Sequence, residues 1–430
     1  MLFPKSMGIR LERKKDASLL NWNLKRPYPP EKICVPVPAT ASLCVHAGDK
    51  IVTGQKVAQG EGPEGVSVYA GLAGTVERVA CFKNTSGGES FGMEVHRLGE
   101  PKAPPVWELR KDWDEVSTEK LSGIFRDSGL VTTDARMEPV HAKLARFAGA
   151  RTLLINVCEP EPYITCEQVL AMSHPVEILR GAELLRKASG AEKILFAFED
   201  SNRETVELFK SKIYFLKWSH AEVRTVPALY PQGLESTLLY AWFPGKEDSA
   251  VTVPASTAFA VYEAVALGKP FYERVVTVAG ECVVEPRSLW LPLGISLRDA
   301  IHACKWVMRE PGRVLTGGPM AGDAQTRLDV PVLASTSAVL ALPREIVKET
   351  PAPERPCIRC KLCVDHCPVL LSPAMITLAA ENREFDVARE WDSQDCIECG
   401  VCSYVCPSKR PMLELIRLAN AQVTAGAFRD

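Results

Sequence analysis

CIRCKLCVDHCP at residues 357–368 returns as CIECGVCSYVCP at residues 396–407, and this repeat decides how the rest of the chain is read. Each copy has the form C-x₂-C-x₂-C-x₃-C-P. Three thiolates two residues apart wrap a tight loop onto three irons of one cubane. The longer step and the proline turn the fourth thiolate away, toward a neighbouring cluster. The spacing therefore predicts cross-ligation. Cys357, Cys360, Cys363 and Cys406 are expected to hold one [4Fe-4S] cluster, and Cys396, Cys399, Cys402 and Cys367 the other. Zinc fits poorly, because its structural sites pair two short knuckles across a longer spacer.

These are the runs of a two-cluster ferredoxin module. Ser372-Pro373 reads as the start of a helix to about Arg389, and Pro411 opens a second helix, Met412 to about Val423, so that helices shield the clusters from water. Two neighbouring cubanes without a substrate pocket between them make an electron relay. Arg355, Arg359 and Lys361 flank the first run; they either favour the reduced, more negative cluster or are simply solvated.

Upstream, PREIVKETPAPERP (residues 343–356) reads as a linker. From Glu273 to Leu342, strand-like pieces surround one helical piece, Leu297 to Val307, which suggests a β-rich α+β domain. Within it, Gly317 to Gly322 reads as a turn in preference to a ligand loop. Between Trp113 and Leu267, apolar β-type runs alternate with amphipathic helical stretches: RTLLINV, a helix from about Cys166 to Ala188, KILFAFE, a helix opening near Ser201 or Asn202, then EVRTVP. That alternation predicts a parallel sheet with crossover helices. Ile33 to Val79 reads as short strands broken by turns, a small all-β domain. The expected boundaries are 1–110, 111–272, 273–345 and 346–430.

The 430 residues are enough for several cores, and 46% hydrophobic with 24% charged residues excludes wholesale disorder. A net charge of −2 removes the electrostatic motive for nucleic-acid binding. No apolar run is long enough to span a bilayer, so direct membrane insertion is not expected. MLFPKSMGIRLERKKD lacks the apolar core of a secretory signal, which leads to an expected cytoplasmic location, peripheral at the membrane where partner subunits hold it there. Of the 15 cysteines, Cys34, Cys44, Cys81, Cys158, Cys166, Cys282 and Cys304 share no spacing and read as small hydrophobes. The seven histidines share none either.

Together with the cysteine runs, the segments NVCEPEPYITCEQ, LYPQGLESTLLYA, STAFAVYEAVALGKPFYERVVTVAG and LTGGPMAGDA carry a resemblance over nearly the whole chain to the RnfC family of the Rnf electron-transport complex. The resemblance implies an N-terminal barrel-sandwich hybrid, a domain similar to the flavin-binding 51 kDa subunit of respiratory complex I, a β-grasp domain and the two-cluster module. It also implies redox protein partners. In biotinyl and lipoyl carriers, which the first domain resembles, the hairpin between the two halves bears the modified lysine. Here Gln59 to Val68 contains none, so a structural or docking domain is expected.

One departure bears on function. Where the family has a loop of the form G-L-G-G-A-G-F before P-x-H-x-K-L, this chain keeps Pro139, His141, Lys143 and Leu144 but carries Thr132, Thr133, Asp134, Ala135, Arg136, Met137 and Glu138, with none of the glycines. Side chains there block close approach to a phosphate, and two added carboxylates repel it. Pro254-Ala255-Ser256-Thr257 likewise replaces N-V-x-T. FMN and NADH are therefore not expected as cofactors, and a non-flavin relay is favoured over an NADH-oxidising FMN subunit. Glu159 and Glu161 in C-E-P-E-P either shape a residual pocket or preserve the fold at a strand end.

Overall fold

The computed structural model describes residues 8–83, 89–99, 105–345 and 354–426. Most of the expected linker lies outside them. The chain forms four sheets and a C-terminal helical module. No helix among the described residues is long and apolar enough to cross a membrane.

Strands β1 (Lys32–Val37), β2 (Ser42–Leu43), β3 (Lys50–Ile51), β4 (Lys56–Gln59), β5 (Ser67–Tyr69), β6 (Gly74–Lys83) and β7 (Glu89–Arg97) make two small sheets, ordered β1-β7-β6-β3 and β2-β4-β5. Alternation along β1 sends Ile33, Val35 and Val37 inward. The lysine-free segment is the β4–β5 hairpin, whose tip meets the next domain: the His141 ring lies 2.9 Å from the Pro63 carbonyl.

The expected parallel sheet is present. It comprises β8 (Thr152–Asn156), β9 (Lys193–Glu199), β10 (Ala221–Val226) and β11 (Ala250–Pro254), in the order β10-β9-β8-β11. β8 and β9 are apolar on both faces, as helices on either side require. The strand order reverses between β8 and β11, and ligands of open α/β sheets bind beyond the carboxyl ends of strands at such a reversal. A single helix from Cys166 to Ala188 is not found. The chain forms Cys166–Ser173 and Pro175–Ser189, because His174 precedes a proline and is driven out of the helical region, to φ −133° and ψ 50°. Asn202 does occupy the N-cap of Arg203–Phe215, but its side chain makes no capping bond; its Oδ1 accepts from Arg13 instead.

The following domain is a mixed sheet ordered β13-β12-β16-β14-β15, from β12 (Glu273–Ala279), β13 (Arg287–Pro292), β14 (Pro311–Thr316), β15 (Asp323–Gln325) and β16 (Ala338–Pro343). Its helix is shorter than expected, Leu297–His302, capped by the Ser296 hydroxyl accepting from Asp299 N–H. One face of this sheet shares a core with the N-terminal strands, where Val276, Val278 and Leu289 join Ile33, Val35 and Val57. The other face joins the α/β core, through Val275, Ala279 and Leu340.

In the C-terminal module, Pro373 opens a helix that ends at Glu381, and a second runs Phe385–Glu390. The expected continuous helix to Arg389 is broken because Arg383 turns left-handed, at φ 59°. The last helix, Met412–Gly426, packs on both.

Candidate functional site

The internal repeat of the cysteine runs is a repeat of backbone geometry. Left-handed residues recur 39 positions apart: Arg359 (φ 56°) and Glu398 (φ 54°), Lys361 (φ 63°) and Gly400 (φ 71°), Leu370 (φ 60°) and Lys409 (φ 53°). Each such turn swings the chain so that the following cysteine faces inward. Backbone N–H groups then reach sulfur: Arg359 to Cys357 Sγ at 3.4 Å, Glu398 to Cys396 Sγ at 3.4 Å and Leu371 to Cys367 Sγ at 3.3 Å.

Cys367 stands with the second run. Together with Cys396, Cys399 and Cys402 it lines one small cavity, walled by Pro368, Leu371, Ile397 and Ile416. Cys363 and Cys406 are buried in the same module core. Cys357 and Cys360 are exposed. Burial pushes the thiols of Cys396, Cys399 and Cys402 up to about 11, 12 and 12, so a set without metal would be neutral; coordination to iron deprotonates such thiols outright. The donor set, four sulfurs facing an apolar cavity, fits an iron–sulfur cubane.

The second run docks on the rest of the chain through residues that the spacing of cysteines could not reveal. Tyr230, buried, donates its hydroxyl to the Cys399 carbonyl at 2.6 Å. Val401 and Cys399 form an apolar contact with Tyr230, Met320 and Leu234. Gly317–Gly322 is indeed the turn from β14 to β15, and it is also the seat of this contact. Glu161 accepts from Met320 N–H at 2.8 Å and Ala321 N–H at 3.2 Å, while Arg417 joins Glu398 (2.7 Å), Asp323 (3.2 Å) and the Ala321 carbonyl (2.9 Å).

At the reversal point of the parallel sheet, the altered loop packs against its own chain. The N–H of Thr133 donates to Thr257 Oγ1 at 3.0 Å, and the Thr133 hydroxyl lies 2.6 Å from Ser256 Oγ. Four more loop amides are engaged locally: Thr132 N–H by the Glu138 carbonyl, Arg136 N–H by Asp134, Met137 N–H by the Asp134 carbonyl and Glu138 N–H by the Thr132 hydroxyl. Arg274, buried, clamps the Thr133 carbonyl at 3.0 Å. Lys143 is buried between Glu235 (3.2 Å) and Asp134 (3.7 Å).

The neighbouring helix starts are filled from within as well. Glu159 accepts from the N–H groups of Glu167 and Gln168, and Glu167 accepts from Ser256 N–H at 2.7 Å. Of the two roles open to Glu159 and Glu161, both are therefore engaged in holding backbone. Over the same strand ends lies an N-terminal strap. Arg13 donates to Glu199 at 2.8 Å, Lys15 donates to the Glu159 carbonyl and lies 3.8 Å from Glu199, and Tyr163 N–H donates to the Arg13 carbonyl. Burial lowers the Lys15 pKa and raises that of Glu199.

Three family profiles match in the order of these domains: the RnfC barrel-sandwich hybrid domain over residues 4–96, the Nuo51 FMN-binding domain over 125–265 and a 4Fe-4S dicluster domain over 352–407. The RnfC protein of the Na(+)-translocating ferredoxin:NAD(+) oxidoreductase complex of Acetobacterium woodii is 30% identical over 412 residues, covering 92% of each chain. This chain belongs to the RnfC family. Its similarity to the corresponding protein of the proton-translocating ferredoxin:NAD(+) oxidoreductase complex of Clostridium ljungdahlii is 29% over 93% of this chain and 90% of the relative. A relative from Pectobacterium carotovorum, from an ion-translocating oxidoreductase complex, is 32% identical over 92% of this chain and 54% of its own length. RnfC-family membership accounts for the electron-transfer character and the domain order; the loop at Thr132–Glu138 lies inside the stretch matched as an FMN-binding domain.

Proposed function

We propose that this RnfC-family chain relays electrons through two cross-ligated [4Fe-4S] clusters, without an FMN or NADH site of its own. Cys357, Cys360, Cys363 and Cys406 would hold one cluster; Cys396, Cys399, Cys402 and Cys367 the other. When bound, the clusters supply one-electron chemistry with little change of shape. The chain's own residues do the rest. The sulfurs fix the irons, the N–H groups of Arg359, Leu371 and Glu398 place partial positive charge against thiolate and favour the reduced state, and the helices of the module keep water out.

The observation that carries the absence of flavin is the engagement of five loop amides by the chain itself. A glycine loop offers such amides to phosphate. Here Thr133 fills the approach, and Glu167 places a carboxylate where a phosphate would meet the start of helix Ala255–Tyr262. The residues present do not fit a flavin phosphate. The barrel-sandwich hairpin and the α/β body then serve as a scaffold that docks redox partners, and the names of the relatives point to a peripheral place on an Rnf-type membrane complex, on its cytoplasmic side.

A second reading, an NADH-oxidising FMN subunit, is favoured by the match to the FMN-binding domain. Anaerobic reconstitution followed by iron and flavin analysis separates the two. About eight irons per chain and no flavin supports the relay; one tightly held FMN, with cluster bleaching by NADH, rejects it.

A further inference from the structure

The two halves of the C-terminal module have the same turns but unequal surroundings. In the second half, the face made by Ile397, Glu398, Gly400 and Val401 is covered: Val401 is 1% exposed, Ile397 packs at Tyr230, and Glu398 is tied to Arg417. Thirty-nine positions earlier, the same face carries Ile358, Arg359, Lys361 and Leu362. There it is bare, with Ile358 66% and Leu362 37% exposed beside the exposed Cys357 and Cys360.

The substitutions between the halves have a common direction. Glu398, which meets a cation of the body, corresponds to Arg359; Gly400, whose Cβ would stand 2.3 Å from the Met320 carbonyl, corresponds to Lys361. Arg355 N–H donates to the Ser408 carbonyl, which brings Lys409 to the same rim. Among the described residues, Arg355, Arg359, Lys361 and Lys409 have no carboxylate partner; Glu354 and Asp365 are the acids of this rim. A chain of net charge −2 thus concentrates unpaired cations and two apolar side chains around the exposed end of one cysteine run.

We propose that this face docks the acidic, cofactor-bearing edge of a one-electron carrier protein, repeating with a foreign partner the contact that the second half makes with the body. The proposal rests on the reading of Cys357 and Cys360 as cluster ligands. In the docked pair one electron leaves the reduced carrier and enters the first-run cluster, or passes in the reverse sense; no bond forms and no proton moves. Cations steer the encounter, and Ile358 and Leu362 exclude water at the contact.

The test uses the reconstituted full chain, a photoreduced acidic plant-type ferredoxin as the probe, and stopped-flow detection of cluster bleaching. Transfer is expected to slow about tenfold or more between low and moderate salt, and about tenfold at low salt in Arg359→Glu/Lys361→Glu. Reduction by the methyl viologen radical, which needs no docking, should change less than about twofold in the same variant. Full iron with transfer indifferent to salt and to charge reversal overturns the docking proposal alone. Wild-type protein carrying iron for one cubane overturns the ligand assignment beneath it. The salt series on unaltered protein keeps the test decisive if the variant fails to load iron.

Discussion

The Tyr230 hydroxyl donates to the Cys399 carbonyl at 2.6 Å, joining the loop after β10 to the turn that carries the second cysteine run. Both groups are buried, so the bond cannot be replaced by water. Tyr230→Phe leaves a buried acceptor unmet, at about 1–3 kcal/mol. Thermal melting should register that loss, and the paramagnetic signal of one reduced cluster should broaden while the other stays sharp. Identical melting curves would reject the role given to this bond.

Gly400 and Lys361 provide an internal control. Both are left-handed, but a Cβ on Gly400 would stand 2.3 Å from the Met320 carbonyl. Gly400→Ala should destabilise by about 1–3 kcal/mol and lower iron content toward one cubane. Lys361→Ala, at an open position, should stay within about 0.5 kcal/mol of wild type. Equal effects would mean that docking does not matter.

Cross-ligation makes an unusual demand on single serine substitutions. Cys367→Ser, although it lies in the first run, should abolish the same cluster signal as Cys399→Ser, and Cys406→Ser the same signal as Cys360→Ser. Spectra of the reduced variants check this. If Cys367→Ser instead matches Cys360→Ser, each run holds its own cluster.

Stability should fall with rising pH near neutrality. Burial pushes the carboxyls of Glu161 and Glu167 up to about 7, above an unfolded value of 4.5. The folded state therefore binds more protons than the unfolded one between these values. The stabilisation is fully present below pH 4.5 and is lost as pH rises through about 7, on the order of 3 kcal/mol per carboxyl. Melts from about pH 6 to 8.5 should show a declining midpoint, and Glu161→Gln/Glu167→Gln should flatten it. A midpoint rising over that range would contradict these assignments.

What was legible in the sequence was local in origin. The cysteine spacing, the period-2 and helical patterns and the missing glycines are each written in a few consecutive residues, and the sheets of the α/β and β-grasp domains follow from them. The two helices expected to be continuous broke where a single backbone preference intervened, at His174 before Pro175 and at Arg383. The occupants of the reversal point could not be read at all. Thr133 meets Ser256 and Thr257 across more than a hundred residues, and Arg13 reaches Glu199 from the start of the chain. Tyr230 and Met320 carried no signal because an isolated tyrosine and a Gly-Pro turn are ordinary features; only folding sets them against Cys399 and Gly400.

The core shared by the N-terminal strands and the β-grasp sheet has a practical consequence for dissecting this protein. Val276, Val278 and Leu289 have no water-compatible alternative once Ile33, Val35 and Val57 are removed. A fragment trimmed of its first hundred residues would present a greasy slab to solvent and precipitate, so pieces cut at apparent boundaries are poor reagents, and lesions near the start of the chain will be felt at its far end.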